Sequence, residues 1–136
     1  MQNGPIPTTL TLLSELRKFP PGSKVRFLGC VTKYSTKTAV LTLEHNHPPG
    51  NMLQAQVDVN LLVTTMKSHE TQIGEWVNVM GYVTPQQSNT QAGQERLTVN
   101  IQAIVLWSSA SFNLQAYEKS LDHRSNGEAD ENNEGE

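Results

Sequence analysis

One segment near the C-terminal end of the sequence constrains the fold more than any other. Between Glu95 and Trp107, apolar side chains occupy every second position. A β-strand with one buried face gives this period of two, whereas a helix requires spacings of three and four. The alternating residues are Leu97, Val99, Ile101, Ala103, Val105 and Trp107. A strand of this length must pair with others to bury its apolar face, so the chain is expected to be a β-protein.

Four earlier segments also have strand character and are separated by turn residues: Lys24–Tyr34, Ala39–His45, Met52–Val59 and Glu75–Thr84. Gly29 lies in the middle of the first, where a missing side chain is typical of a bend. The links between the first three are short, which predicts a meander of two consecutive hairpins. A long polar loop, Pro85–Gln94, precedes the final strand.

Three segments have helical or mixed character. Asn60–His69 carries apolar residues at helical spacing, with Asn60 as a plausible N-cap. A second helix is expected from Phe112 to about Arg124, capped by Ser111 or Asn113. The N-terminal stretch Thr9–Phe19 is apolar enough to form a short helix that closes one end of a barrel.

The order of these elements predicts the fold class. Three strands, a short helix, two strands and a C-terminal helix is the order of the OB-fold, a five-stranded Greek-key barrel often used for oligonucleotides. We therefore predict an all-β protein with one domain over residues 1–124. Residues 125–136 contain five acidic side chains, no basic one and no large apolar one. Such a segment cannot offset the entropy of ordering, so it is predicted to be a disordered acidic tail.

Composition narrows the expected environment. The formal net charge is −3, but the first 124 residues carry ten basic and eight acidic side chains. This mildly basic body does not by itself indicate strong nucleic-acid binding. The single cysteine, Cys30, excludes an intramolecular disulfide framework. No secretory signal or membrane-spanning run is recognisable, so a soluble protein of the cytosol or nucleus is expected.

No pattern in the sequence indicates catalysis. His45 and His47 flank Asn46 in a turn, which we interpret as an exposed polar turn because no third ligand has metal-site spacing. The acidic residues Glu44 and Asp58 have no neighbours that favour a hydrolytic pair, and Asp58 more simply caps or turns the chain. Phosphate-binding loops, nucleophile elbows and zinc-protease motifs are absent from the sequence. We expect a binding protein without a catalytic site, metal or cofactor.

Exposed basic and aromatic residues at the first hairpin are candidates for single-stranded DNA binding. Arg26, Lys33, Tyr34 and Lys37 cluster there, and OB-folds bind nucleotides along this region. Phosphate neutralisation and base stacking are the mechanism of such binding, and stacking contributes roughly 1–3 kcal/mol per base. The alternative is an ordinary solvated face. Because aromatic residues are few, any binding by the isolated chain is expected to be weak and salt-sensitive.

The last helix is a candidate for partner binding. Leu114, Tyr117 and Leu121 lie on one stripe, which could cover this chain's own barrel or dock onto a helix of another chain. Since the N-terminal segment is already available to close the barrel, we favour the partner. Met80 on the fourth strand and Phe112 at the start of the helix would extend the same surface.

A family resemblance agrees with this interpretation. The runs Gly22–Gly29, Val40–Leu43 and Gly74–Val83, followed by Val105–Trp107 and Phe112–Lys119, resemble the Ten-one family. That family is the smallest OB-fold subunit of the CST telomere-capping complex. The resemblance covers roughly Pro5 to Arg124 as a pattern of strands, glycines and a terminal helix, without an invariant motif.

The resemblance implies a nuclear protein at chromosome ends. It would pair with the larger Stn-one OB-fold subunit through the barrel and C-terminal helix, and assist telomere protection and replication. Single-stranded telomeric DNA would then be bound mainly by the complex. Two alternatives remain: the related small subunit of replication protein A, and an OB-like barrel that binds only protein.

Overall fold

The strands of the protein close into one barrel. The computed structural model describes residues 7–85, 97–109 and 113–122. Its strands are β1 (Thr9–Leu10), β2 (Lys24–Ser35), β3 (Val40–Glu44), β4 (Gln54–Asp58), β5 (Trp76–Val83) and β6 (Thr98–Ser108). They follow the order β1-β2-β3-β4-β6-β5, and β5 pairs back onto β2. The predicted five-stranded OB-fold barrel is therefore confirmed, with β1 as a short addition that the sequence did not indicate.

The long strand β2 pairs with two different strands of the barrel. Its residues 24–30 lie opposite β5, and its residues 30–35 lie opposite β3. The strand must therefore curl at the changeover, next to Gly29. A Cβ atom at Gly29 would lie 2.8 Å from Leu43 Cβ, closer than side chains pack. The absence of a side chain allows this close approach between β2 and β3, as expected for a bend in a small barrel.

The barrel interior is filled by the inward side chains that alternation predicts. It is formed mainly by Val25, Phe27, Val31, Leu41, Leu43, Ala55, Val57, Val77, Val79, Val99, Ile101 and Ala103. The alternation predicted for the last strand is wrong near its end. The register of β5 and β6 shifts between Met80 and Gly81, which reverses the facing of the residues beyond. Leu106 consequently packs against the core, whereas Val105 is 42% exposed.

The predicted helix Asn60–His69 is wrong in type and extent. Two 3₁₀ helices, Asn60–Leu62 and Ser68–Thr71, occupy this connection instead. Asn60 is not an N-cap, because the Asp58 carboxylate accepts hydrogen bonds from the Asn60 backbone and side-chain nitrogens, at 2.9 and 2.8 Å. Asp58 thus turns the chain, as predicted. Leu62 packs against the core, which explains the apolar spacing.

The N-terminal stretch contains a 3₁₀ helix, Leu13–Lys18, after β1. Leu13 and Leu16 are fully buried and belong to the core, so the prediction that this stretch packs onto the barrel is confirmed.

The predicted C-terminal helix is present as α1, residues 114–122. Asn113 caps it, because its side-chain oxygen accepts a hydrogen bond from the Ala116 backbone N–H at 3.0 Å. The described residues do not include Ser111, Phe112, the predicted polar loop after Pro85, the predicted helix end at residues 123–124 or the predicted tail at residues 125–136. The domain limit at residue 124 therefore stays a prediction. Within the described ranges, no helix is long and apolar enough to cross a membrane.

Candidate binding surfaces

The outer face of β2 and β5 is covered by α1. Leu28 points away from the barrel interior, since it neighbours the inward Phe27, yet it is only 1% exposed. Leu121 of α1 is 6% exposed, and both leucines lie outside the main core cluster. The backbone of Leu28 also interacts with the Tyr117 side chain of α1. The helix therefore packs on its own barrel, over the outer face of β2 near Leu28.

Tyr117 and Arg26 lie near each other on this face of the barrel. Burial raises the pKa of Tyr117 to about 12, although the nearby Arg26 charge acts in the opposite direction. The Arg26 guanidinium lies over the Trp107 ring, 5.1 Å from its centroid, in a cation–π contact. Arg26 pairs across the sheet with Met80. Its Nε atom is buried and has no hydrogen-bond acceptor among the described residues.

On a neighbouring face of the same helical turns, α1 is attached to the turn after β3 by two histidines. The His45 ring donates from Nε2 to Glu118 Oε2 at 2.7 Å, and His47 Nε2 lies 2.8 Å from Asp122 Oδ2. His47 Nδ1 lies 3.5 Å from the second Glu118 oxygen. We call His45, His47, Glu118 and Asp122 the histidine clasp. It joins residues more than seventy positions apart in the sequence.

The interpretation of His45 and His47 as an exposed polar turn is wrong. The His45 side chain is 1% exposed and stands edge-on to the Trp76 ring, with 5.3 Å between ring centroids. Burial lowers the pKa of His45, against the opposing effect of its hydrogen bond with Glu118. A signal was available in the sequence: two histidines at i, i+2 and two acids at i, i+4 on one helix face. Nothing in the sequence indicated that these pairs meet.

A polar groove of about 530 Å³ lies on a different part of the barrel, over the outer faces of β3 and β4. Its walls come from Thr32, Lys33, Ser35, Thr38, Val40, Thr42, Glu44, Gln54 and Gln56. Side chains across the groove are bonded to each other, as in the contact of 2.7 Å from Gln54 to Glu44. This is the face on which OB-folds bind oligonucleotides. It offers amide and hydroxyl groups, with Lys33 opposed by Glu44 and no aromatic ring in the walls.

The four residues predicted to bind DNA do not share one surface. Thr32 is an extra residue in the β2–β3 pairing, and beyond it Lys33 faces outward opposite Thr42, whereas Tyr34 packs against the core. Lys33 therefore lines the polar groove, and Lys37 is exposed in the adjoining β2–β3 turn. Arg26 lies apart from them, on the face covered by α1.

The residues predicted to bind a partner are closer together. Met80, Leu114 and Tyr117 are half-buried, and Leu121 is buried against the barrel. In the isolated chain, the stripe on α1 thus covers its own barrel, which is the alternative that the sequence interpretation did not favour. Next to Met80, Val105 is paired across β5 and β6 and remains exposed. Phe112 lies outside the described residues.

The described residues offer little for covalent or metal chemistry. Among them, no group of three or more His, Cys, Asp or Glu side chains is arranged to hold a metal ion. Burial, assisted by the charges of Glu44 and Glu75, raises the pKa of the Cys30 thiol. A thiol with a raised pKa is a poor nucleophile at neutral pH.

A small OB-fold barrel with a terminal helix packed against it and a polar groove on its outer face is typical of the class of OB-fold binding subunits. The chain belongs to the Ten1 family, described as a telomere-capping subunit of the CST complex, which matches residues 1–122. This agrees with the resemblance found in the sequence. Among curated proteins, no significant match in sequence was found.

Solved structures with a similar fold support the architecture. A chain of the Schizosaccharomyces pombe Stn1–Ten1 complex has a TM-score of 0.67 and 21% identity, with coverage of 90% of this chain and 96% of that chain. Ten1 from the same yeast has a TM-score of 0.64 and 22% identity, with coverage of 88% and 99%. A chain of Ustilago maydis replication protein A bound to single-stranded DNA has a TM-score of 0.56 and 18% identity, with coverage of 88% and 90%. At these identities, the likeness concerns the fold.

Proposed function

We propose that the chain is the small subunit of a nuclear telomere-capping complex and docks onto a larger Stn1-type OB-fold subunit. The docking surface is formed by Arg26, Met80 and the half-buried face of α1 with Leu114 and Tyr117, and Phe112 would extend it. Membership of the Ten1 family and the fold shared with the Stn1–Ten1 complex support this proposal. The role is to bind and stabilise, without catalysis.

The observation that carries the proposal is the apolar surface beside Arg26, where Met80 is half-buried and Val105 is 42% exposed. The Nε atom of Arg26 is enclosed by this chain, so a partner would cover the neighbouring apolar side chains and the outer part of the guanidinium. The guanidinium is already oriented by the Trp107 ring beside the apolar side chains of Met80 and Val105. A charged centre with apolar surroundings is typical of the energetically dominant residues of protein interfaces. Arg26 is therefore reassigned from DNA binding to partner binding.

Co-purification with the Stn1-type subunit tests this surface. We expect Met80→Glu and Leu114→Glu to weaken the complex at least tenfold, because each places a charge in an apolar contact. Leu61→Glu is the matched control, since Leu61 is 65% exposed on the 3₁₀ connection and belongs to neither surface. Loss of binding in the control, or none in the two variants, would contradict the proposed surface. Recovery from cells of only replication protein A subunits would support the alternative assignment.

A weaker contribution to single-stranded DNA binding is proposed for the polar groove, with Lys33 and Lys37 contacting phosphates. The groove lies where OB-folds bind nucleotides, but its walls lack stacking rings, and Tyr34 is packed inward. We therefore expect DNA affinity to belong mainly to the assembled complex.

Titration of labelled single-stranded DNA at two salt concentrations, with and without the partner, tests this contribution. Lys33→Glu with Lys37→Glu should weaken binding by the complex and reduce its salt dependence. Lys67→Glu, on the exposed 3₁₀ connection, is the charge-matched control for each of the two single variants. An unchanged affinity in the double variant would leave a barrel that binds only protein.

A further inference from the structure

The turn after β3 is a rigid support for two imidazole rings. The His45 carbonyl accepts hydrogen bonds from the His47 backbone N–H and from Asn51 Nδ2, both at 2.8 Å. The Asn46 side chain accepts a further one from the Gly50 backbone N–H at 2.9 Å. Since β3 and β4 hold both ends of this turn in the barrel, the positions of the two rings are determined by the barrel.

Besides the histidine clasp, α1 is held by one stripe of side chains that includes Tyr117 and Leu121. The described part of the helix contains nine residues, and isolated helices of this length are unstable in water. Leu121 is the one described side chain of α1 that is almost fully buried. Contacts along one stripe attach a helix to a surface, and contacts on a second face define its rotation about the axis more tightly.

The histidine clasp supplies contacts on this second face. Glu118 receives His45 at 2.7 Å and also approaches His47, while Asp122, one turn later, lies 2.8 Å from His47. Residues four apart lie on the same helix face, so the two carboxylates form a row parallel to the axis. Two attachment points along one row fix both the position and the rotation of the helix.

Rotation matters because one residue corresponds to about 100° around a helix. Tyr117 is adjacent to Glu118 in the sequence and lies near Arg26 on the proposed docking surface. We propose that His45 and His47 are positioning residues for partner docking, which act through Glu118 and Asp122 to hold α1 with Leu114 and Tyr117 beside Met80. This inference rests on the docking surface proposed above and adds to it a pair of residues that need not touch the partner.

The test compares Glu118→Ala with Glu118→Gln in the full chain. Alanine removes the acceptor for His45, whereas the glutamine carbonyl retains one. Hydrogen exchange of the backbone amides of residues 114–122 reports the attachment of the helix, and titration with the Stn1-type subunit reports docking. Lys119→Ala is the control for exchange in the free chain, because Lys119 is exposed and lies outside the clasp.

We expect Glu118→Ala to accelerate exchange in α1 about tenfold or more, the size typical of losing a charged hydrogen bond, while the barrel strands stay protected. Its affinity for the partner should fall as the correctly docked fraction falls, and Glu118→Gln should restore most of both losses. Unchanged exchange in Glu118→Ala would overturn the inference, as would faster exchange with full partner affinity. If the wild-type chain binds the partner normally, either of these two results leaves the proposed function intact. A wild-type chain that does not bind the partner would contradict both the proposed function and this inference.

Discussion

Replacement of Leu121 by alanine tests how α1 is joined to the barrel. Leu121 is 6% exposed, but it is not part of the cluster that fills the barrel. Its side chain therefore stabilises the docking of the helix rather than the closure of the barrel. We expect Leu121→Ala to release α1 while the five barrel strands remain folded.

The magnitude follows from the groups removed. Leucine to alanine deletes three carbon atoms, and burial of each contributes about 0.8 kcal/mol, so the docking equilibrium should shift by roughly 2 kcal/mol, or about 30-fold. In a rigid core the same change costs about 2–5 kcal/mol, because a cavity remains. Here the helix can detach instead, so the loss of global stability cannot exceed the free energy of docking.

Two measurements distinguish detachment of α1 from a cavity in a rigid core. Hydrogen exchange should accelerate only in residues 114–122, and urea denaturation should show a loss of about 2 kcal/mol or less in the free energy of unfolding. Ser120→Ala is the control, since Ser120 is exposed on the same helix. A loss of 4–5 kcal/mol, with faster exchange in β2 and β5 as well, would refute the view that α1 is a detachable layer.

Two further predictions concern the barrel and pH. Gly81→Ala should destabilise the chain by about 3 kcal/mol or more in urea denaturation, because a Cβ atom would lie 2.2 Å from the backbone oxygen of Gln102 and the backbone cannot move away easily. Wild-type stability in this variant would contradict the described β5–β6 register. Burial lowers the pKa of His45, so the folded state binds fewer protons than the unfolded state, and this part of the stability is present above pH 6.5 and lost as pH falls below it. The urea midpoint should therefore fall less between pH 7.5 and pH 5 in His45→Gln than in the wild type. His69→Gln, at an exposed position, is the control and should match the wild type. Equal falls in all three proteins would refute this linkage.

Much of the fold could be predicted because alternation is a local property. The strands were recognisable because each turn restarts the period of two, and the inward facing predicted for the last strand holds at Val99, Ile101 and Ala103. The failures occur at the β2–β3 and β5–β6 register shifts. A bulge reverses the facing of every later residue, and it is decided by the partner strand rather than by the residues themselves. This is why Tyr34 was expected outside and Val105 inside.

The candidate site was predicted less completely, because it is formed by contacts between distant segments. The apolar stripe of α1 was recognisable in the sequence, but the surface beneath it was not. Arg26 and Lys33 are seven residues apart and look like one basic cluster, yet Arg26 lies where β2 pairs with β5 and Lys33 where it pairs with β3, on different parts of the barrel surface. His45 was interpreted as an exposed turn residue because the helix that buries it begins nearly seventy positions later.

The sequence alone determined the class of the fold, the number of barrel strands, the terminal helix and the family, because these depend on periodicity and element order. Tertiary structure decided which surface each functional side chain joins. The curl of β2 separated Arg26 from the groove, and barrel closure brought the turn after β3 to α1. Both depend on strand pairing across long sequence separations, whose outcome is set by packing around the whole barrel and is not encoded in any single segment.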